Sequence, residues 1–103
     1  MLDPQARPLL GKTALVTGAA RRLGRASALA LARAGADVAI TFRDSAREAR
    51  ETVVDLSAHG ARSFALRCDV TDEASVRAMM KEAGRELGRI DICLLYTSPS
   101  PRD

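Results

Sequence analysis

The sequence predicts an α/β fold organised as a doubly wound parallel sheet, and three observations carry that prediction. Four short apolar runs recur about every 25 residues, the interval at which a crossover helix fits between parallel strands. The segments between them place apolar residues at spacings of three and four, the helical period. Gly35, Gly60 and Gly88 fall where those segments end, and glycine takes the left-handed conformation that closes a helix without a Cβ penalty.

Strand one is expected over Thr13–Thr17 (TALVT), and the Ala-rich helix one runs from Leu23 to Ala34, apolar on several sides as a helix against a sheet must be. Strand two follows at Asp37–Thr41 (DVAIT). In helix two, Ala46, Ala49, Val53 and Leu56 share a face, and Ser45 followed by Glu48 forms a capping-box signature. His59, beside Gly60, reads as a C-terminal-turn residue favoured by the helix dipole rather than as a catalytic base. Strand three is Ser63–Arg67 (SFALR). Thr71-Asp72-Glu73 supplies a cap and acids for helix three, whose inner face is Val76, Met79, Met80, Ala83 and Leu87, with both methionines in the core. Ile90–Leu95 (IDICLL) is strand four. Alternating strands and helices with short loops imply a parallel sheet with helices on both faces, joined by right-handed crossovers, and the strand order expected of such a doubly wound sheet is 3-2-1-4. This β-α-β-α-β-α-β array is a little more than one mononucleotide-binding half of a fold that needs about six strands in full.

At 103 residues, 47% hydrophobic and 28% charged, the chain has the composition of one folded globular domain. The first eleven residues hold no apolar segment of the signal-peptide kind, and no run approaches a membrane span, so a cytoplasmic location is expected. Cys68 and Cys93 stand in apolar runs without CxxC or metal-ligand spacing, which predicts buried free thiols and no metal site. The net charge of +3 is uneven: residues 1–50 carry nine Lys/Arg against four Asp/Glu, and residues 51–103 carry seven against nine. The basic excess gathers around Arg21, Arg22, Arg25, Arg43 and Arg47, and predicts an anionic partner such as a phosphate group. Nucleic acid is disfavoured, because Phe42, Phe64 and Tyr96 do not interleave with these basic residues as a stacking platform would.

Between strand one and helix one lies Thr17-Gly18-Ala19-Ala20-Arg21-Arg22-Leu23-Gly24. A tight turn here lets backbone N–H groups and a helix N-terminus face a pyrophosphate. Gly18 makes the turn, and Gly24 lets the helix pack closely on the strand. The segment resembles the TGxxxGxG fingerprint of short-chain dehydrogenases/reductases, with Thr17, Gly18 and Gly24 matching and Arg22 in place of the middle glycine. This TGAARRLG variant is similar to that of pteridine reductases and some 3-oxoacyl-carrier-protein reductases. The resemblance covers about residues 10–92 and implies a Rossmann-type dinucleotide-binding domain. It further implies cofactor contacts from Gly18, Arg21, Arg22, Leu23 and Gly24, and adenine contacts from Asp69 and Val70 in Cys68-Asp69-Val70. A turn at a strand end is the alternative role of Asp69. Gly88-Arg89-Ile90-Asp91-Ile92 resembles the family's lead into strand four.

An NAD site wants an acid at the end of strand two for the ribose 2′-OH, and an NADP site wants basic residues for the 2′-phosphate. Strand two ends Ile40-Thr41-Phe42-Arg43, so Arg43 with Arg21 or Arg22 forms a guanidinium clamp and NADP is expected over NAD. Asp44, twenty residues after Gly24, is the competing ribose acid; its place beside Ser45 assigns it to helix capping instead.

In the resembled family strand four runs into Asn-Asn-Ala-Gly, and a later Ser with a Tyr-x-x-x-Lys pair protonates the carbonyl as hydride arrives. Here Ile92 is followed by CLLYTSPSPRD, and Ser100 stands four residues after Tyr96, so Tyr96 is not that tyrosine and no catalytic residue is assigned. Prolines in a Ser/Thr-rich end do not continue a central strand, and LLYTSPSPRD resembles translated sequencing-adapter read-through. Residues 1–92 are accordingly expected to be the N-terminal part of the Rossmann domain, and 93–103 a non-native or disordered tail. The resemblance implies a longer parent that reduces a carbonyl or pterin substrate, with any homo-oligomer a property of that parent. The alternative is a non-catalytic nucleotide-binding half-domain. A nucleotide-phosphate hydrolase is disfavoured by the absence of GxxxxGK[ST].

Overall fold

The structure, a computed structural model, describes residues 8–18, 22–60 and 62–94; the side chains of Arg22 and Leu23 lie outside that description. Seven elements alternate: β1 (Thr13–Val16), α1 (Arg22–Arg33), β2 (Asp37–Phe42), α2 (Ala46–Ser57), β3 (Ser63–Arg67), α3 (Glu73–Leu87) and β4 (Ile92–Leu94). They form one parallel sheet of order β3-β2-β1-β4, the order expected. β1 is buried along its whole length, as the middle of a sheet covered on both faces must be.

Side chains alternate between two cores. Ala14, Val16, Val38 and Ile40 face α1 and α2, where they meet Ala28, Ala32, Ala49 and Leu56. The small residues of α1 let its backbone lie close to the strands. Leu15 and Ala39 face the other way and pack with Met79 and Ala83 of α3. Thr52 joins the inner face of α2 because its hydroxyl donates to the Glu48 carbonyl at 2.9 Å, so no polar atom is stranded there.

At Gly35, φ is +106°, and the bonds Gly35 N to Ala32 O and Ala36 N to Leu31 O turn the chain off α1 into β2. Gly60 and Gly88 also have positive φ, and His59 lies in the turn that closes α2. At the start of the sheet, the Asp91 carboxylate accepts from Thr13 N at 3.0 Å and from Thr13 Oγ1 at 3.3 Å. Arg89 Nε donates to the same carboxylate at 2.6 Å. Asp91 thus fixes where β4 begins alongside β1, two residues later than the apolar run suggested.

Four expectations require correction. Met80 is 41% exposed while Met79 is buried, because one residue turns about 100° around a helix and carries Met80 off the sheet. Cys93 is exposed and only Cys68 is buried. Cys93 pairs with Leu15 on edge strand β4, beyond the reach of the α3 side chains that cover Leu15 and Ala39. Ser45 occupies the N-cap of α2 but makes no side-chain capping bond, since its ψ of 54° departs from the extended backbone a cap requires. Asp72, at φ −108° and ψ 113°, does cap α3, accepting from Ala74 N at 3.0 Å. Finally, Asp44 is not the cap of α2; its carboxylate lies 3.7 Å from Arg43 Nε.

Candidate functional site

The carboxyl ends of β1, β2 and β3 gather most of the residues singled out from the sequence. In parallel α/β sheets this is the edge where ligands bind, because every strand there leads into a loop and a helix N-terminus. Thr17, just past β1, is buried and donates its N–H to Leu94 O at 2.9 Å, which ties the loop to β4. Gly18 follows at φ +65°, a conformation L side chains rarely adopt, and its N–H donates to Thr41 Oγ1 at 3.3 Å. The chain therefore leaves β1 in a turn held from both neighbouring strands.

Arg22 opens α1 and Gly24, its third residue, is buried. No acidic residue lies in the first turn of α1, whereas Glu48 and Glu73 lie in the first turns of α2 and α3. The positive end of α1 is thus not offset by a carboxylate of its own first turn. Arg21 and the side chains of Arg22 and Leu23 lie outside the described residues.

One strand over, Arg43 follows β2 with a side chain 37% exposed. Its carbonyl accepts from Arg67 Nε at 3.2 Å, and the carbonyl of Phe42 accepts from Cys68 N at 2.8 Å, so β3 holds the end of β2 in place. Asp69 accepts from both the N–H (2.9 Å) and the hydroxyl (2.6 Å) of Thr71 in an Asx turn, and its own N–H donates to Ser75 Oγ at 2.9 Å. The Thr71 hydroxyl and N–H hold the Asp69 carboxyl below the usual carboxylate range, and the charges of Arg43 and Arg67 add to the effect. The turn role foreseen as an alternative for Asp69 is therefore realised. Val70 beside it is 52% exposed, an apolar side chain turned to solvent. Among the described residues no group of His, Cys, Asp and Glu is arranged to hold a metal.

Gly18, Gly24, Arg43, Asp69 and Val70 thus lie in the loops and helix start at one end of the sheet. Thr41 and Arg67 were missed. A buried hydroxyl at the end of an apolar strand was the available signal for Thr41, since such a group must find a partner. Arg67 entered the sequence reading only as the last residue of strand three.

A family profile described as short chain dehydrogenase matches residues 12–96. The chain belongs to the short-chain dehydrogenase family. It is 44% identical over 85 residues to hydroxynaphthalene reductase of Aspergillus fumigatus, covering 82% of this chain and 31% of that one. To the 3-oxoacyl-[acyl-carrier-protein] reductase of Staphylococcus aureus it is 42% identical over 81 residues, covering 79% and 33%. Among solved structures, a short-chain dehydrogenase of Burkholderia cenocepacia in complex with NADP superposes with a TM-score of 0.81 at 42% identity, over 84% of this chain and 35% of that one. A dehydrogenase/reductase of Sinorhizobium meliloti superposes with a TM-score of 0.86 at 35% identity, over 90% and 37%. The chain spans about a third of the length of the short-chain dehydrogenases it matches. No helix among the described residues is long and apolar enough to cross a membrane.

Proposed function

We propose that this chain is the NADP(H)-binding portion of a cytoplasmic short-chain oxidoreductase that reduces a carbonyl or pterin substrate by hydride transfer, and that it precedes that enzyme's catalytic Ser, Tyr and Lys. The observation that carries the reading is the placement of Arg43 at the carboxyl end of β2, one strand from the Gly18 turn and the start of α1, whose own first turn holds no acid. A 2′-phosphate and a pyrophosphate on one dinucleotide require two cationic or N–H-rich positions at that separation of one strand.

The residues present fit such a ligand. Gly18 spends its own N–H on Thr41, so its part is to hold the turn, and the first turn of α1 offers its N–H groups to the pyrophosphate. Arg43 supplies the charge for the 2′-phosphate, with Arg21 or Arg22 of the loop as its partner in the clamp. Asp69 shapes the loop after β3, and Val70 offers an apolar surface to the adenine. When bound, the dinucleotide supplies the hydride; this chain binds and orients it.

Substituting Arg43→Ala tests the reading. A charge-assisted contact is worth about 1.5–3 kcal/mol, so NADP(H) should bind roughly ten- to a hundredfold more weakly while NAD(H) is spared. Equal losses for both cofactors in a binding titration refute the assignment of Arg43.

A further inference from the structure

We infer that Arg67 is a second specificity residue for the 2′-phosphate, set beside Arg43 by the pairing of β3 with β2; the inference rests on the NADP-binding reading above. Register places Arg67 opposite Phe42, the last residue of β2, so it ends its strand one position before Arg43. Alternation along β3 puts Arg67 on the face of Ala65, which packs with Ile40 against α1 and α2. That is the face whose first helix begins at the phosphate loop.

The bond from Arg67 Nε to the Arg43 carbonyl turns the guanidinium toward Arg43. It leaves the two Nη groups without a hydrogen bond among the described residues. Arg25, Arg62, Arg77, Arg85 and Arg89 each pair with a carboxylate; among the described ion pairs Arg67 has none. Asp69, two residues on, accepts from Thr71 and feels both Arg43 and Arg67. Arg43 and Arg67 both act electrostatically on Asp69, so two positive charges serve the loops after β2 and β3, and a phosphate dianion bound there is attracted by both. A planar fork with its Nε already anchored is also pre-organised to bind such an oxyanion.

The test is calorimetric titration of the 103-residue chain with NADP and with NAD, using Arg67→Gln and Arg67→Lys. Arg67→Gln weakens NADP about tenfold and leaves NAD within about twofold, so the preference between them falls. Arg67→Lys keeps the charge but not the fork, and lowers the same ratio about two- to fivefold. If circular dichroism shows Arg67→Gln unfolded, the lysine variant carries the test alone. An unchanged ratio, or equal losses of NADP and NAD, overturns the role of Arg67 and leaves the dinucleotide reading standing. If the unsubstituted chain binds neither cofactor, that reading fails and this inference fails with it.

Discussion

Replacing Thr41 with Val exchanges a hydroxyl for a methyl group of nearly the same size, and so removes one hydrogen bond with little change in packing. Thr41 is 1% exposed, and its Oγ1 accepts from Gly18 N at 3.3 Å. The bond is long, so its net worth is at the lower end for a neutral pair, about 0.5–1 kcal/mol. Gly18 is only half-buried, so water can take up part of the freed N–H and the unmet-donor penalty is reduced. The substitution should cost about 1 kcal/mol, lowering Tm by about 4–8 °C in a domain of this size. Because the turn at Gly18 positions the start of α1, dinucleotide affinity should fall about threefold to fivefold, with NADP and NAD affected alike. Thr41→Ser retains the acceptor and should keep affinity while losing some packing. Calorimetric titration with thermal unfolding measures both quantities. If Thr41→Val binds as tightly as the unsubstituted chain, or Thr41→Ser loses as much affinity as Thr41→Val, Thr41 does not support the loop.

The pair at 3.7 Å between Arg43 and Asp44 predicts that Asp44→Asn tightens NADP about twofold to fivefold by removing a competing anion, with NAD unchanged. Were Asp44 the ribose acid, the same variant would weaken NAD in the same titration. The Asp91 carboxyl, 11% exposed, is held below its usual value of 3.8, chiefly by the Thr13 N–H and then by Arg89. A depressed folded-state value contributes stability that is present above 3.8 and lost as pH falls through the lower value, so acid should loosen β4 from β1 below about pH 4. Asp91→Asn should flatten that acid limb in denaturant midpoints followed from neutral to acid pH; an unaltered limb would assign it to other groups. Cys93 should react with a thiol reagent in the folded chain while Cys68 reacts only after unfolding, and equal rates would contradict the edge position of β4.

The elements were readable from period: apolar runs, helical spacing between them and glycines at the helix ends mark alternating strands and helices, and reading them as a doubly wound sheet gave the order. The positions of Gly18 and Arg43 in the fold were legible for a similar reason, since each stands just past a strand and needs only its own strand to be placed. Thr41 and Arg67 act across strands, Thr41 on Gly18 and Arg67 on Arg43, and those pairings depend on a register that hydropathy does not encode. Asp44 was assigned to capping because a charged residue before a helix suits either a cap or an ion pair; the structure gives the N-cap position to Ser45 and sets the Asp44 carboxylate 3.7 Å from Arg43. Cys93 and Met80 show the limit of reading apolar character as burial. Both belong to apolar stretches, but an edge strand and a step of one residue around a helix expose them.

On the proposed reading, the loop after β1 and the arginine after β2 together hold the phosphates of NADP. Titrating the unsubstituted 103-residue chain with NADP and with NAD in the same buffer tests it most directly. Saturable binding with NADP at least about tenfold tighter than NAD is the predicted result, since one charge-assisted contact to the 2′-phosphate is worth that much. Binding of NAD as tight as or tighter than NADP would contradict the role of Arg43, and binding of neither would contradict the site.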